Sequence, residues 1–292
     1  MWVDAAARTI AGYLPFSAKT IARKILFKSR HPGHLGLKGI GTIQDLNYWA
    51  ADGRLDTLIP LQNYFSVFYP MLDTATSGRI IVFDGQGQLI GQKEFSVAHQ
   101  ATVQLHLSAI LKEWHKEPTS IRYGTFICDI RVPASVKKAL QASSPFYFID
   151  RFYTAYLNHH GQPAFVHGID KAFINPGSEK LKRWYPGNKC YTWVPEIPIN
   201  IQEYERFTVI VCNRVGRSRV VRLVVEDTEN RQREWEATVP FNGVKRFELT
   251  SENTSGLVPV ELRMRLEGLP TEWGRALVFK EFSSGTISVM HC

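Results

Sequence analysis

The chain repeats itself. Phe65-Ser66-Val67 is answered 142 positions later by Phe207-Thr208-Val209; Glu94 and Val97 are answered by Glu236 and Val239, and Leu105 and Leu107 by Phe247 and Leu249, at the same spacing. Upstream, Tyr48-Trp49 in "NYWAADGRLDTLIP" has a looser echo in Tyr191 and Trp193 of "CYTWVPEIPIN", and downstream "SIRYGTFICDIRVP" parallels "PVELRMRLEGLP". One such match arises by chance. Several in one order imply two copies of one unit, so the fold of either half has to serve for the other.

Within each copy, short runs of β-branched and aromatic residues alternate with turn residues, as in "RIIVFDGQGQLIGQKEFSV", "RVVRLVVED" and "REWEATVP". Trp235, Ala237 and Val239 fall on one side of an extended chain, and Glu234, Glu236 and Thr238 on the other. Seven or eight strands per copy predict a mainly β protein: two tandem antiparallel β-sandwich domains behind a short basic helical N-terminal leader. The expected divisions are a leader and linker over 1–40, a first sandwich over 41–174, and a linker plus second sandwich over 175–292. The boundary is expected at "NPGSEKLKRWYPGNK" (175–189), and the first copy carries an extra short helix around "ASVKKALQAS" (134–143).

The net charge of +8 is concentrated in the leader, where seven Lys and Arg face only Asp4, and the body is nearly neutral. Nucleic-acid binding is therefore not expected. Ile10, Tyr13 and Leu14, then Ile21, Ile25 and Leu26, recur at helical spacing beside Lys19, Arg23, Lys24 and Lys28. Such a stretch either packs on its own protein or lies, through residues 18–30, on an anionic membrane surface. Cys128, Cys190, Cys212 and Cys292 form no CxxC pair, and no apolar run nears the roughly 18 residues of a membrane span. With no signal-peptide core either, the expected location is the cytoplasm, alternatively the inner membrane face as a peripheral protein.

The densest cluster of chemical groups is "RFYTAYLNHHGQPAFVHGID" (151–170). It reads as a β-hairpin, with His159 and His160 in its turn and Phe165, His167 and Ile169 on one face of the second strand. Strand rise separates His167 from the turn histidines by about 15–20 Å, and Asp170 has the opposite parity, so no metal site and no cofactor is expected. The second copy closes the same way: Val166-His167 is answered by Met290-His291, and Phe152-Tyr153-Thr154 by Phe282-Ser283-Ser284. His167 and His291, with Tyr153 and Tyr156, are candidates for a ligand surface or for structural hydrogen bonds. Trp184, Tyr185, Tyr191 and Trp193 form an aromatic group suited either to stacking on sugar rings or to an interdomain core. Arg214, Arg217 and Arg219 are candidates for anion binding or plain solvated arginines. "GQGQLIG" opens no helix and cradles no phosphate, and "SVKK" (135–138) has no companion motif for acyl transfer.

The strand "FTVIVCN", the strand "ATVPFNGVKRFEL" and the closing hairpin with Pro and His, "QPAFVHGID", resemble the soluble transducer proteins associated with microbial sensory rhodopsins. The resemblance covers residues 41–170 and again about 188–292. It implies a non-enzymatic sandwich used as a binding or signalling module; that family's members are single units that assemble into oligomers, so a homo-oligomer is a further expectation. Together these readings predict a binding or interaction module for a glycan or protein ligand. The alternatives are a peripheral inner-membrane protein of polysaccharide or envelope biosynthesis, and an enzyme with a sandwich-cleft site around His167, Tyr153 and Tyr156.

Overall fold

The structure, a computed structural model, describes residues 42–115, 122–142, 153–174, 191–195, 198–214, 216–270 and 276–291. The leader, the boundary stretch 175–189, and Trp184 and Tyr185 lie outside them.

The first sandwich is built from β1 (Thr42–Ala50), β2 (Leu55–Gln62), β3 (Thr76–Asp84), β4 (Leu89–Val97), β5 (Thr102–His106), β6 (Tyr123–Arg131), β7 (Tyr153–Asn158), β8 (Pro163–His167) and β9 (Asp170–Ile174). One sheet runs β4-β3-β6-β1-β9 and the other β5-β2-β7-β8. The short helices α1 (Tyr64–Phe68), α2 (Leu107–Glu113) and α3 (Ala134–Ala142) join strands. The second sandwich comprises β10 (Tyr191–Trp193), β11 (Arg206–Cys212), β12 (Arg219–Glu226), β13 (Gln232–Val239), β14 (Val244–Leu249), β15 (Arg263–Leu269), β16 (Leu277–Glu281) and β17 (Ile287–His291). Its sheets run β13-β12-β15-β10 and β14-β11-β16-β17.

Adding nine to each strand number of the first sandwich reproduces the second, both sheets included; β9 alone has no counterpart among the described residues. The registers refine the repeat. Val97 and Val239 each end the fourth strand of their unit, and β5 and β14 keep the 142-residue offset. In the second strand the offset is 150: Leu58 pairs with His106 as Thr208 pairs with Glu248. Ile59 and Leu61 therefore answer Val209 and Val211, all fully buried. The match of Phe65–Val67 to Phe207–Val209 does not hold, because the former lie in α1 and the latter in β11. Across the last two strands the offset is 124, since Tyr153 pairs with His167 and Leu277 with His291. Val166 and Met290 correspond, but the match of Tyr153-Thr154 to Ser283-Ser284 does not hold: Tyr153 and Thr154 answer Leu277 and Val278, Phe282 follows β16, and Phe152 lies outside the described residues.

Each sandwich has its own core. Trp49, Ile59, Leu61, Ile80, Val82 and Phe126 fill the first. Val209, Val211, Leu223, Val225, Phe247 and Leu266 fill the second. A third cluster joins them, Leu46, Tyr48 and Tyr156 from the first unit packing on Ile210, Cys212, Leu277 and Phe279 from the second. β1 and β11 are thus buried on both faces, which is why "FTVIVC" reads as a nearly continuous apolar run. At about 1.5–3 kcal/mol per large side chain, the joint is a core in its own right. Polar groups line its edge: Arg246 reaches Glu248 at 2.6 Å and Asp52 at 3.6 Å and lies 4.9 Å from the Tyr123 ring centroid, while Arg54 reaches Glu281 at 3.0 Å. Nearby, the β3–β4 turn docks on the β13–β14 loop, Val244 N donating to Gly85 O at 3.0 Å. Gly87 sits at φ +79°, where a Cβ would strike the Phe241 carbonyl.

Candidate functional site

The two sandwiches differ most at the start of the second. Leu266 pairs with Leu223 and Trp193 just as Cys128 pairs with Ile80 and Asp45, so Trp193 stands where Asp45 does in the first unit. β1 then continues to Ala50 along β6, but β10 stops. Val194 and Pro195 lie past its end, and Pro195 and Pro198 have no N–H to give a ladder. The chain bridges the residue before β15 at Ile199, whose N–H donates to Leu262 O at 2.9 Å. Asn200 then caps a 3-10 turn at Ile201–Glu203, accepting from Gln202 N at 3.1 Å, and the turn leads into Tyr204 and, on β11, Phe207.

In the first sandwich the part of β1 beyond Asp45 does specific work. Thr57 Oγ1 donates to Ala50 O at 2.8 Å and accepts from Ala50 N at 2.9 Å. Tyr156 OH donates to Tyr48 O at 2.9 Å, and Thr154 Oγ1 to Asn47 Oδ1 at 3.0 Å. All three side chains are fully buried. By register, their places in the second unit are taken by Phe207, Lys280 and Val278, residues that need no strand to bond to. The result is a groove of about 840 Å³, with Trp193, Tyr204, Phe207, Met264, Lys280 and Met290 among its walls.

The lining is apolar with few polar points. Val194, Val260 and Met290 leave 60, 39 and 36% of their surface exposed at the mouth. Lys280 Nζ lies 5.7 Å from the Tyr204 ring centroid, and no carboxylate among the described residues is paired with it. Tyr204 packs on Phe207 and Phe282 at 5.5 and 5.2 Å. Burial first, then the charge and hydrogen bond of Glu203, push its hydroxyl pKa up. Trp193 is 5% exposed and its Nε1–H has no acceptor among the described residues.

Of the residues singled out from sequence, Trp193 and His291 line this groove. Tyr191 packs beside the second core. His159 and His160 occupy the β7–β8 turn, as expected. His167 and His291 meet at the seam between β8 and β17. Tyr156 does not present a ligand surface, being sealed in the joint between the sandwiches, where burial pushes its hydroxyl far up. Tyr153 is 42% exposed and has the opposite strand parity, so it and Tyr156 point to opposite faces. The three residues proposed for an enzymatic cleft therefore do not converge. Ile169 does not share a face with Phe165 and His167 either: β8 ends at His167, and Ile169 turns into the other sheet, its N–H donating to Leu46 O at 2.7 Å. Arg214 is buried against Gln44 of the first unit, whereas Arg217 is exposed and Arg219 half-buried, so the three form no common anion site. No group of three His, Cys, Asp or Glu suited to a metal ion occurs among the described residues, and no helix there is long and apolar enough to cross a membrane.

Sequence reading missed Tyr204, Phe207, Met264, Lys280 and Met290. The available signal was the pair of prolines directly after "YTW".

No family model matches the chain, and no curated protein does. Among solved structures it is similar to two glycosyl hydrolase family 2 members from Bacteroides cellulosilyticus, at 9 and 8% identity. Each comparison covers 86% of this chain, and 26 and 28% of those chains respectively, with a TM-score of 0.17 in both. A β-glucuronidase from glycoside hydrolase family 2 is similar at 10% identity over 90% of this chain and 25% of that one, with a TM-score of 0.16. The chain thus spans about a quarter of the length of these structures.

Proposed function

We propose that the chain is a non-enzymatic binding module in which the first sandwich is scaffold and the second holds the ligand. The observation that carries this reading is the contrast between equivalent positions. Thr57, Thr154 and Tyr156 close the first unit onto β1, while Phe207, Val278 and Lys280 border an open groove in the second. Its volume is within the usual range for ligand sites, and an apolar wall with few polar points is their usual composition. A glycan is disfavoured as the occupant, because Trp193 is too deeply set to offer a face to a sugar ring. The test is a thermal-shift and NMR screen of small apolar and amphipathic compounds against the full chain and against Met290→Trp, which fills the mouth. Ligands that shift the parent and not the variant support the reading. Ligands that bind both equally place the site elsewhere and end it.

A second reading, association with an anionic membrane surface, rests on a different patch. Val67, Phe68 and Met71 are 59, 44 and 92% exposed at one tip of the first sandwich. Ser135 Oγ donates to Asp73 O, which brings the α3 end carrying Lys137 and Lys138 beside that tip. Apolar side chains next to lysines suit an anionic lipid surface. The basic stretch 18–30, read from sequence for the same role, lies outside the described residues. Flotation with phosphatidylcholine vesicles, with and without phosphatidylglycerol, tests it: Met71→Asp should abolish flotation with the anionic vesicles, and equal flotation of parent and variant sinks the idea.

A further inference from the structure

The groove's polar points carry more than its shape. Lys280 occupies the register position of Tyr156, whose hydroxyl is satisfied by a backbone carbonyl of β1. Lys280 instead is half-buried in a groove lined by Tyr204, Phe207 and Met290, and its partner among the described residues is the Tyr204 ring, 5.7 Å from Nζ to the centroid. A ring face attracts an ammonium weakly and accepts none of its three N–H bonds fully. An anionic oxygen brought into the groove forms a charge-assisted hydrogen bond in surroundings drier than bulk water, where such a bond is strongest. Glu203 and Glu261, exposed at the mouth, work the other way. Their charge lies within about one Debye length of an entering ligand and disfavours several negative charges at once, while a single charge that reaches Lys280 passes beyond them.

We infer that the groove selects amphipathic monoanions, aliphatic or aromatic monocarboxylates, with the carboxylate on Lys280 Nζ and the apolar body along Phe207, Met264 and Met290. The inference rests on the groove being a binding site. The uncharged and the polyanionic analogues of the same body are the ligands it rejects.

The experiment is isothermal titration of the full chain with three probes of one chain length: decanoate, decan-1-ol and decyl phosphate as its dianion. Decanoate is expected to bind at least about tenfold more tightly than decanol or the dianion. Lys280→Gln should bring decanoate down to the level of decanol, and Lys280→Arg should retain most of the preference. Circular dichroism and melting of both variants establish that they fold. Decanol binding as tightly as decanoate, with Lys280→Gln indifferent, overturns the charge selection and leaves the groove reading standing. Binding of decanoate that survives Met290→Trp overturns both. Failure of all three probes to bind overturns this inference alone, and the wider screen then decides the groove.

Discussion

The rings of His167 and His291 stack with centroids 4.4 Å apart and 28° between planes, and His291 Nε2–H donates to the backbone carbonyl of His167 at 2.9 Å. They are the same residue of the repeat, each closing the last strand of its unit. β8 and β17 lie side by side, and the hairpin turns that open them meet at the other end, where Asn158 Nδ2 donates to Gly285 O at 2.7 Å. The two strands therefore run in the same direction, as a two-fold relation along the seam requires. Contact between equivalent residues is the signature of such an axis. The rest of the joint does not share it, since the β3–β4 turn of the first unit meets the β13–β14 loop of the second.

The pair is asymmetric in one useful way. The bond uses the side chain of His291 but only the backbone of His167. His291→Ala should lose the seam bond and the stack, at about 1–2 kcal/mol, whereas His167→Ala loses the stack and its own Nδ1–H bond to Gly168 O at 3.0 Å but leaves the seam bond in place. A double-mutant cycle by urea unfolding separates the shared stack from the two bonds, and a His291→Ala loss unchanged in the His167→Ala background would mean that the stack contributes nothing.

Equivalent positions in the two sandwiches should respond oppositely to loss of their polar group. Tyr156→Phe removes a buried donor to Tyr48 O and should cost about 1–2 kcal/mol. Lys280→Met removes a half-buried ammonium that no carboxylate compensates and should be neutral or stabilising. The measurement is the urea midpoint of each variant, and a Lys280→Met loss as large as that of Tyr156→Phe would contradict the open-groove account.

The repeat was legible where strands keep both pattern and register, at β4 with β13 and at β5 with β14. It failed at Phe65–Val67 for a local reason: Asn63 Oδ1 accepts from Ser66 N at 3.3 Å and Ser66 Oγ returns a bond to Asn63 O at 2.6 Å, so these side chains hold a helical turn that a β-rich composition conceals. The 124-residue offset at the histidines was readable because the closing hairpins kept their order and their final histidine. The groove was not readable. Its walls follow from β10 ending at Trp193, before the positions that answer 47–50, which in the first unit hold partners about a hundred positions away in β7, and no periodicity records where that strand ends. The prolines after Trp193 marked where the strand stops, but only the register shows which side chains that leaves uncovered.

Phe279 is the centre of the joint between the sandwiches. Its ring meets Tyr156 edge-on at 4.7 Å and Tyr48 at 5.7 Å. Phe279→Ala should cost about 3–5 kcal/mol through the cavity it leaves. Because that loss falls on the interface while each sandwich keeps its own core, one unfolding transition should become two. Calorimetry tests this, and a single, merely lowered transition would show that neither sandwich is stable without the other.

The acid limb of stability should depend on Asp227, at the β12–β13 turn. Its burial pushes the carboxyl pKa up, but four donors overcome this: the backbone N–H of Val258 at 2.8 Å, of Arg231 and Glu229 at 2.9 Å, and the Arg231 guanidinium at 2.7 Å. Together they hold the folded-state pKa at about 2, against the ordinary 3.8 of an aspartate. A depressed carboxylate binds its proton less readily in the folded state than in the unfolded one. Its stabilisation is therefore complete above pH 4 or so and is lost as the pH falls from about 4 through about 2. Asp227→Asn cannot titrate and, in either amide orientation, leaves two of these four donors facing an amide NH₂. It should lower the neutral-pH urea midpoint and flatten the pH dependence between 4 and 2 relative to the parent. A variant whose acid limb runs parallel to the parent's would assign the acid sensitivity to other carboxylates, with Glu267 the next to examine, since Arg222 and Arg265 hold it below its usual range.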